Sequence, residues 1–191
     1  AGGLTFTTLT VGWWNACGLT ASGAAYCWGE YSGALVNGAI EDSPVPMPVS
    51  GGLRFKTLAT GGGHTCGITF SNAAYCWGYG PWGELGNGSF SWTPTVVPVP
   101  VAGGLAFSQI ATGNSVTCGV TTSGPAYCWG YSGAYGLFGN GSTDSSAVPV
   151  PVSSGIKFTS VSIGEWDTCG LAVAGAAYCW GANWSGELGN G

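Results

Sequence analysis

Apolar and polar positions alternate in short runs along this chain, and Gly, Asn, Ser or Pro interrupts each run. Short runs rich in β-branched and aromatic residues, bounded by turn residues, predict β-strands. No window carries the spacing of an amphipathic helix. The pattern also repeats. Phe6, Phe55, Phe107 and Phe158 lie 49, 52 and 51 residues apart, and Cys17, Cys66, Cys118 and Cys169 keep the same intervals. A period near 50 residues points to a solenoid, an array or a propeller with several strands per unit.

Each unit opens on GGLTF, GGLRF, GGLAF or SGIKF, runs through Phe-x-x-(Leu/Ile/Val) and a Gly, and enters a cysteine hairpin. A loop then leads to LVNG, LGNG, FGNG or LGNG. A Val-Pro strand (PVPMPV, VVPVPV, AVPVPV) closes the first three units, and the fourth stops where that strand is expected. The expected division is one repeat domain, 1–191, with repeats at about 1–50, 51–102, 103–153 and 154–191.

The hairpin reads CGLTASGAAYCWG, CGITFSNAAYCWG, CGVTTSGPAYCWG and CGLAVAGAAYCWG. Placing Cys17 opposite Cys27 sets Leu19 against Ala25 and leaves a three-residue loop, Ala21-Ser22-Gly23. Such loops usually end in a residue with positive φ, which favours Gly or Asn. The repeats supply Gly23, Asn72, Gly124 and Gly175 there. Opposed residues at a non-hydrogen-bonded site lie close enough for a disulfide. The expected bonds are Cys17–Cys27, Cys66–Cys76, Cys118–Cys128 and Cys169–Cys179. Zinc fits the spacing poorly, because zinc pairs are tighter. Gly18 falls opposite Tyr26, and the same Gly–Tyr pairing recurs in every unit, so an aromatic ring can lie over bare backbone. Trp28, Trp77, Trp129 and Trp180 are expected to wedge between neighbouring units.

Composition narrows the function. Charged residues make up 6% of the chain, against about 25% in an ordinary soluble domain. Three Lys and Arg stand against eight Asp and Glu, for a net charge of -5. Arg54, Lys56 and Lys157 cannot form the basic patch that phosphate binding needs, so nucleic acid and anionic membrane surfaces are not expected partners. No apolar run reaches the ~20 residues of a membrane helix. The chain starts at Ala1, as after removal of a leader or excision from a longer protein. Evenly paired cysteines favour an oxidising, extracellular or cell-surface location over a reducing one.

The string T-C-G-(Leu/Ile/Val)-T-x-x-G-x-A-Y-C-W-G, followed by G-x-L-G-N-G-S, resembles the regulator of chromosome condensation repeat, in a cysteine-bearing form similar to bacterial secreted members. The resemblance covers nearly the whole chain. It implies an all-β fold, a β-propeller of four-stranded antiparallel blades, here four repeats in an open arc or part of a larger ring. Members of this family serve as exchange factors for small GTPases, as plant ultraviolet receptors and as enzyme inhibitors, so the fold leaves function open. Three resolutions of an open arc are a dimeric ring, a piece of a longer propeller, and a fibre built by a heterologous contact that does not close.

Positions that differ between repeats are the candidates for binding. The loops before the first cysteines and after Trp-Gly carry Trp13, Trp14, Tyr31, Tyr79, Trp82, Tyr131, Tyr135, Trp166 and Trp184, with Phe90 and Trp92 as a further aromatic spot. Aromatics on rigid loops make binding anchors for a protein or a sugar ring; the alternative is that half or more pack between blades. Trp13 and Trp14 are adjacent, and neighbours on a strand rarely both point inward. Chemistry is sparse. His64, the single histidine, reads as an ordinary loop residue. Glu165 and Asp167 have no partner base, and Glu84 and Glu187 share a repeat position that suggests a turn role. No catalytic set, metal site or cofactor is expected. Asn87, Asn140 and Asn183 begin glycosylation sequons. The reading is a secreted, non-enzymatic scaffold that binds a protein or itself, as homodimer or fibre. The alternatives are a carbohydrate-binding module and an inhibitor of a secreted enzyme.

Overall fold

The computed structural model describes residues 3–30, 42–153 and 155–191. Tyr31 and the LVNG turn lie outside the described residues. The first sheet holds β1 (Thr8–Val11), β2 (Asn15–Leu19), β3 (Ala25–Gly29) and β4 (Ser43–Pro48). The second holds β5 (Phe55–Thr60), β6 (His64–Thr69), β7 (Ala74–Gly80) and β8 (Ser91–Pro100). The third holds β9 (Phe107–Thr112), β10 (Val116–Thr121), β11 (Ala126–Gly130) and β12 (Ser146–Pro151). The fourth holds β13 (Phe158–Ile163), β14 (Asp167–Ala172) and β15 (Ala177–Gly181). Strands pair in chain order, all antiparallel, so each sheet is a meander. The first strands, β1, β5, β9 and β13, lie side by side. This is a β-propeller arc of four blades.

Each hairpin has the register that its loop chemistry demands. Cys17 faces Cys27, Cys66 faces Cys76, Cys118 faces Cys128 and Cys169 faces Cys179. All four pairs are disulfides, with Cα atoms 4.0 Å apart in the third and 4.1 Å in the others. The loops close through φ of 77° at Gly23, 68° at Asn72, 106° at Gly124 and 86° at Gly175. Asn72 is the one non-glycine with positive φ among the described residues. Asn tolerates that region because its short polar side chain can hydrogen-bond locally.

The glycine opposite each tyrosine has a different reason from the expected one. A Cβ on Gly67 would lie 2.6 Å from the ring of Phe55, and Gly18, Gly119 and Gly170 meet Phe6, Phe107 and Phe158 in the same way. The ring over the bare backbone is thus the phenylalanine that opens the unit, the first residue of β5, β9 and β13 and, in blade 1, Phe6 just ahead of β1.

The Val-Pro strands follow from edge chemistry. Val49, Val101 and Val152 donate their N–H groups to the carbonyls of Ala25, Ala74 and Ala126 at 2.9, 3.0 and 3.0 Å. In an antiparallel pair, alternate residues turn their backbone groups away from the partner. Pro48, Pro100 and Pro151 take those outward positions, as do Pro46, Pro98 and Pro149. A missing N–H costs no bond there, and the edge cannot recruit another strand.

Packing runs from blade to blade. Cys17, Leu19, Ala25 and Cys27 of blade 1 form one cluster with Phe55, Leu58 and Trp77 of blade 2. Blade 2 meets Phe107, Ile110 and Trp129 through Cys66, Ile68, Ala74 and Cys76. Blade 3 meets Phe158 and Val161 through Cys118, Val120, Ala126 and Cys128, with Trp180 packed alongside. Every blade therefore presents a disulfide face forward and a Phe–Trp face backward. Trp77, Trp129 and Trp180 are the expected wedges, and Trp77 and Trp129 are fully buried; Trp28 is not one, because among the described residues no blade lies behind blade 1, and it packs on Phe6 of its own blade.

Candidate functional site

One hydrogen bond, made four times, gathers the variable loops. The residue after Trp-Gly donates its N–H to a loop carbonyl between the first two strands: Glu30 to Trp14 at 2.9 Å, Tyr79 to Gly63 at 2.8 Å, Tyr131 to Ser115 at 2.7 Å and Ala182 to Trp166 at 2.8 Å. Both loop sets thus lie at the same end of each blade, and their aromatics converge on one face of the arc.

The rings on this face fall into two runs. Tyr79 meets Trp92 edge-on at 6.0 Å between centroids, Trp92 meets Trp82 at 6.2 Å, and Trp82 meets Tyr131 at 5.1 Å. Tyr135, Trp166 and Trp184 form a triangle with sides of 5.8, 4.9 and 6.3 Å. Trp82, Trp92, Phe90, Tyr135 and Trp184 are exposed, while Tyr79, Tyr131 and Trp166 are half-buried. Trp13 and Trp14 both point outward and pair with no other described ring. A cleft of about 410 Å³ opens between Tyr79, Trp82 and Trp92 on one side and Asn114 and Ser115 on the other. Asn183 of the sequons is exposed; Asn87 and Asn140 are half-buried, and their Oδ1 atoms accept from the N–H of Ser89 and Ser142.

The cleft floor holds a polar junction that the sequence reading missed. His64 is not a loop residue: it belongs to β6, at the position of Asn15, Val116 and Asp167, and is 1% exposed. Its Nε2 lies 2.8 Å from Thr117 Oγ1 of the next blade. Thr117 donates its one hydroxyl proton to the Glu84 carbonyl at 3.0 Å. The oxygen can then only accept from His64, so the imidazole carries its proton on Nε2. The same Glu84 carbonyl accepts from Trp129 Nε1 at 2.8 Å. The next junction repeats this staple, with Thr168 and Trp180 donating to the Leu137 carbonyl at 3.3 and 2.9 Å. Thr before Cys in three units was the available signal. The Glu84 and Glu187 side chains cap their turns, accepting from the N–H of Trp82 and Ser185 at 2.8 and 2.9 Å. Burial pushes the Glu84 carboxyl up to about 7 and holds the His64 imidazole down at about 4.

The two terminal blades carry the remaining unusual surface. On blade 1 the backward face bears Leu9 and Val11, 63% and 75% exposed, where the blade 2 equivalents Leu58 and Thr60 are both 7%. On blade 4 the forward face bears Leu171 at 44%, where Val120 of blade 3 is 1%. One end shows a Phe–Trp face and the other a disulfide face, the two halves of the interface made three times inside the arc.

The regulator of chromosome condensation (RCC1) repeat model matches residues 71–120 and 123–171, and a second RCC1-repeat model matches 55–81. The chain is 34% identical over 115 residues to the ultraviolet-B receptor UVR8 of Arabidopsis thaliana, a match covering 59% of this chain and 26% of that protein. It is 37% identical over 87 residues to the human E3 ubiquitin-protein ligase HERC2, covering 44% and 2%. Human WBSCR16 superposes with a TM-score of 0.84 at 22% identity, over 98% of this chain and 50% of its own. Prp20p of Saccharomyces cerevisiae, described with its binding to Gsp1p and histones, superposes with a TM-score of 0.84 at 21% identity, over 100% and 48%. The chain thus spans about half or less of each of these proteins. At such identities the structural likeness shows the fold alone.

Proposed function

The chain belongs to the regulator of chromosome condensation (RCC1) repeat family, and from that premise we propose that it is a secreted, non-enzymatic scaffold whose aromatic face binds a protein. A propeller of this family is a protein-interaction type of fold. The observation that carries the reading is the gathering of variable-loop aromatics into two contiguous runs on one face. Exposed Trp and Tyr on loops tied to a rigid sheet supply large contact area at little entropic cost. The four disulfides support an oxidising location. The test is capture from extracellular fluid by the wild-type chain and by a Trp82→Ala, Trp92→Ala double variant of unchanged melting temperature. The captured protein is then purified and its binding measured directly. A loss of affinity of tenfold or more in the variant supports the face. Unchanged affinity, or binding only to a glycan array, sinks the protein-partner reading, and the glycan result moves it to carbohydrate.

Self-association is a second reading, favoured by the complementary end faces. A second copy would seat its Phe–Trp face on the disulfide face of the first, closing a dimeric ring or growing a fibre. Sedimentation would give multiples of 19.1 kDa, and Leu171→Glu would return the monomer. A wild-type monomer at all concentrations removes this reading and leaves the aromatic face untouched.

A further inference from the structure

We propose that the cleft between blades 2 and 3 binds a quaternary ammonium group, the trimethylammonium head of a choline-type small molecule. At about 410 Å³ the cleft lies in the size range of small-ligand pockets. Its walls are rings that do not lie parallel. Tyr79 and Trp92 meet at 75°, and Trp92 and Trp82 at 62°. Rings set this way enclose a space from several sides, whereas a sugar ring stacks on one flat platform. The negative faces of such rings attract a cation, and cages of them are a known means of holding methylated ammonium.

The charges of the molecule are sorted to the same end. Every described Asp and Glu lies with the aromatic loops. Glu30 bonds Trp14, Glu84 and Glu187 cap the turns after Trp-Gly, and Glu165 and Asp167 flank the β13–β14 turn. Asp42 and Asp144 lead into β4 and β12, whose first residues face Gly29 and Gly130. All three Lys and Arg lie at the other end. Lys56 donates to Asn72 of one hairpin loop, and Lys157 lies against Gly124 of another. Arg54 precedes Phe55, whose N–H bonds the Gly23 carbonyl of a third. A face of one sign with apolar walls concentrates counter-charge.

The polar groups of the cleft select among cations. His64 donates to Thr117, Glu84 Oε2 accepts from the Trp82 N–H, and the Gly63 and Ser115 carbonyls accept from Tyr79 and Tyr131. A Lys ammonium or Arg guanidinium would bury N–H groups short of acceptors, at a cost for each. A trimethylammonium has no N–H to satisfy and offers methyl groups to the rings. The Asn114 and Ser115 side chains remain for the hydroxyl of a choline-type ligand. Glu84 adds a pH signature. Burial pushes its carboxyl up to about 7, and a cation in the cleft favours the ionised form. The titratable groups facing it across the cleft are His64 and Tyr79, and Glu165 and Tyr131 line the adjoining hollow. His64, held down at about 4, is neutral through this range. Affinity for a cation therefore rises as pH rises through about 7.

The site goes beyond the protein-partner reading and does not need it: a captured protein whose affinity depends on Trp82 and Trp92 keeps that reading whatever choline does. The test is titration of the chain with choline, followed by tryptophan fluorescence. Choline is expected to saturate with a Kd of about 1 mM or below. Its neutral isostere, with tert-butyl in place of trimethylammonium, should bind about tenfold more weakly. Trp92→Ala, a change at an exposed site that should leave the melting temperature in place, is expected to weaken choline by a similar factor. Affinity should rise several-fold from about pH 6 to about pH 8 in wild type and stay level in Glu84→Gln. Equal binding of choline and its isostere, or no saturation by choline, overturns the proposal. So does saturation by a trimethyl-lysine peptide alone, which would move the site to a protein ligand.

Discussion

The junction between blades 2 and 3 and the junction between blades 3 and 4 are built on one plan with different chemistry at the centre. In both, a turn carbonyl receives the Trp and Thr of the following blade. Around the first carbonyl stand a buried imidazole and a buried carboxyl, His64 and Glu84; around the second, Val116 and Leu137 take those places. The staple needs only a carbonyl, a Thr and a Trp, so the adjoining side chains were free to diverge. The polar version exchanges some tolerance of pH for a hydrogen-bonded fit, and it underlies the cleft of the aromatic face.

The largest effect should come from removing the wedge itself. Trp129→Ala empties a fully buried site and cuts a bond to the Glu84 carbonyl, at an expected cost of about 3–5 kcal/mol. Trp180→Ala, at a half-buried site, should cost about half as much by the same reasoning. Chemical denaturation of both variants reads the difference. Equal losses would show that the two junctions do not differ in burial.

Acid and base should then separate the junctions. His64 is neutral in the fold and protonates when unfolded, so its contribution is full above pH 6.5 and is lost as pH falls toward about 4. Glu84 is protonated in the fold, so its contribution is full below pH 4.5 and is lost as pH rises through about 7. Each is on the order of 3 kcal/mol, and between pH 4.5 and 6.5 the two slopes oppose. Glu84→Gln keeps an oxygen for the Trp82 N–H and removes one slope. Its stability relative to wild type should therefore rise from pH 4.5 to pH 7. A difference that stays level with pH would mean that the carboxyl is not held protonated.

The smallest contrast concerns the hydroxyls. Thr117→Val strands the His64 Nε2–H as well as losing a bond, and should cost about 1–3 kcal/mol. Thr168→Val leaves the Leu137 carbonyl its bond from Trp180, and should cost under about 1 kcal/mol. Denaturation at pH 7 distinguishes them, and a larger loss at Thr168 would reverse the ranking of the two junctions.

Much of this was legible in the chain. The run from Cys17 to Cys27, with Gly23 or Asn72 at the loop end, fixes a register by local backbone chemistry, and the disulfides follow from it. The alternating prolines of PVPMPV and its copies mark an outer strand, because only an edge tolerates them. The aromatic residues of the loops were visible as candidates, but not their grouping: Trp82 touches Tyr131 across a blade boundary, and Trp13 and Trp14 stand apart. His64 looked like a loop residue because the partner that buries it, Thr117, is 53 residues away.

The sequence by itself determined each blade: hairpin register, crosslink, turn and edge arise between residues a few positions apart, where steric and hydrogen-bonding rules act directly. The tertiary structure decided which copies of a repeated residue are buried, which carbonyl holds which tryptophan, and which titratable groups are shifted. Leu9 and Leu58 occupy the same repeat position, yet one is 63% exposed and the other 7%. Their difference lies in whether another blade packs against them, and desolvation depends on that neighbour rather than on the residue.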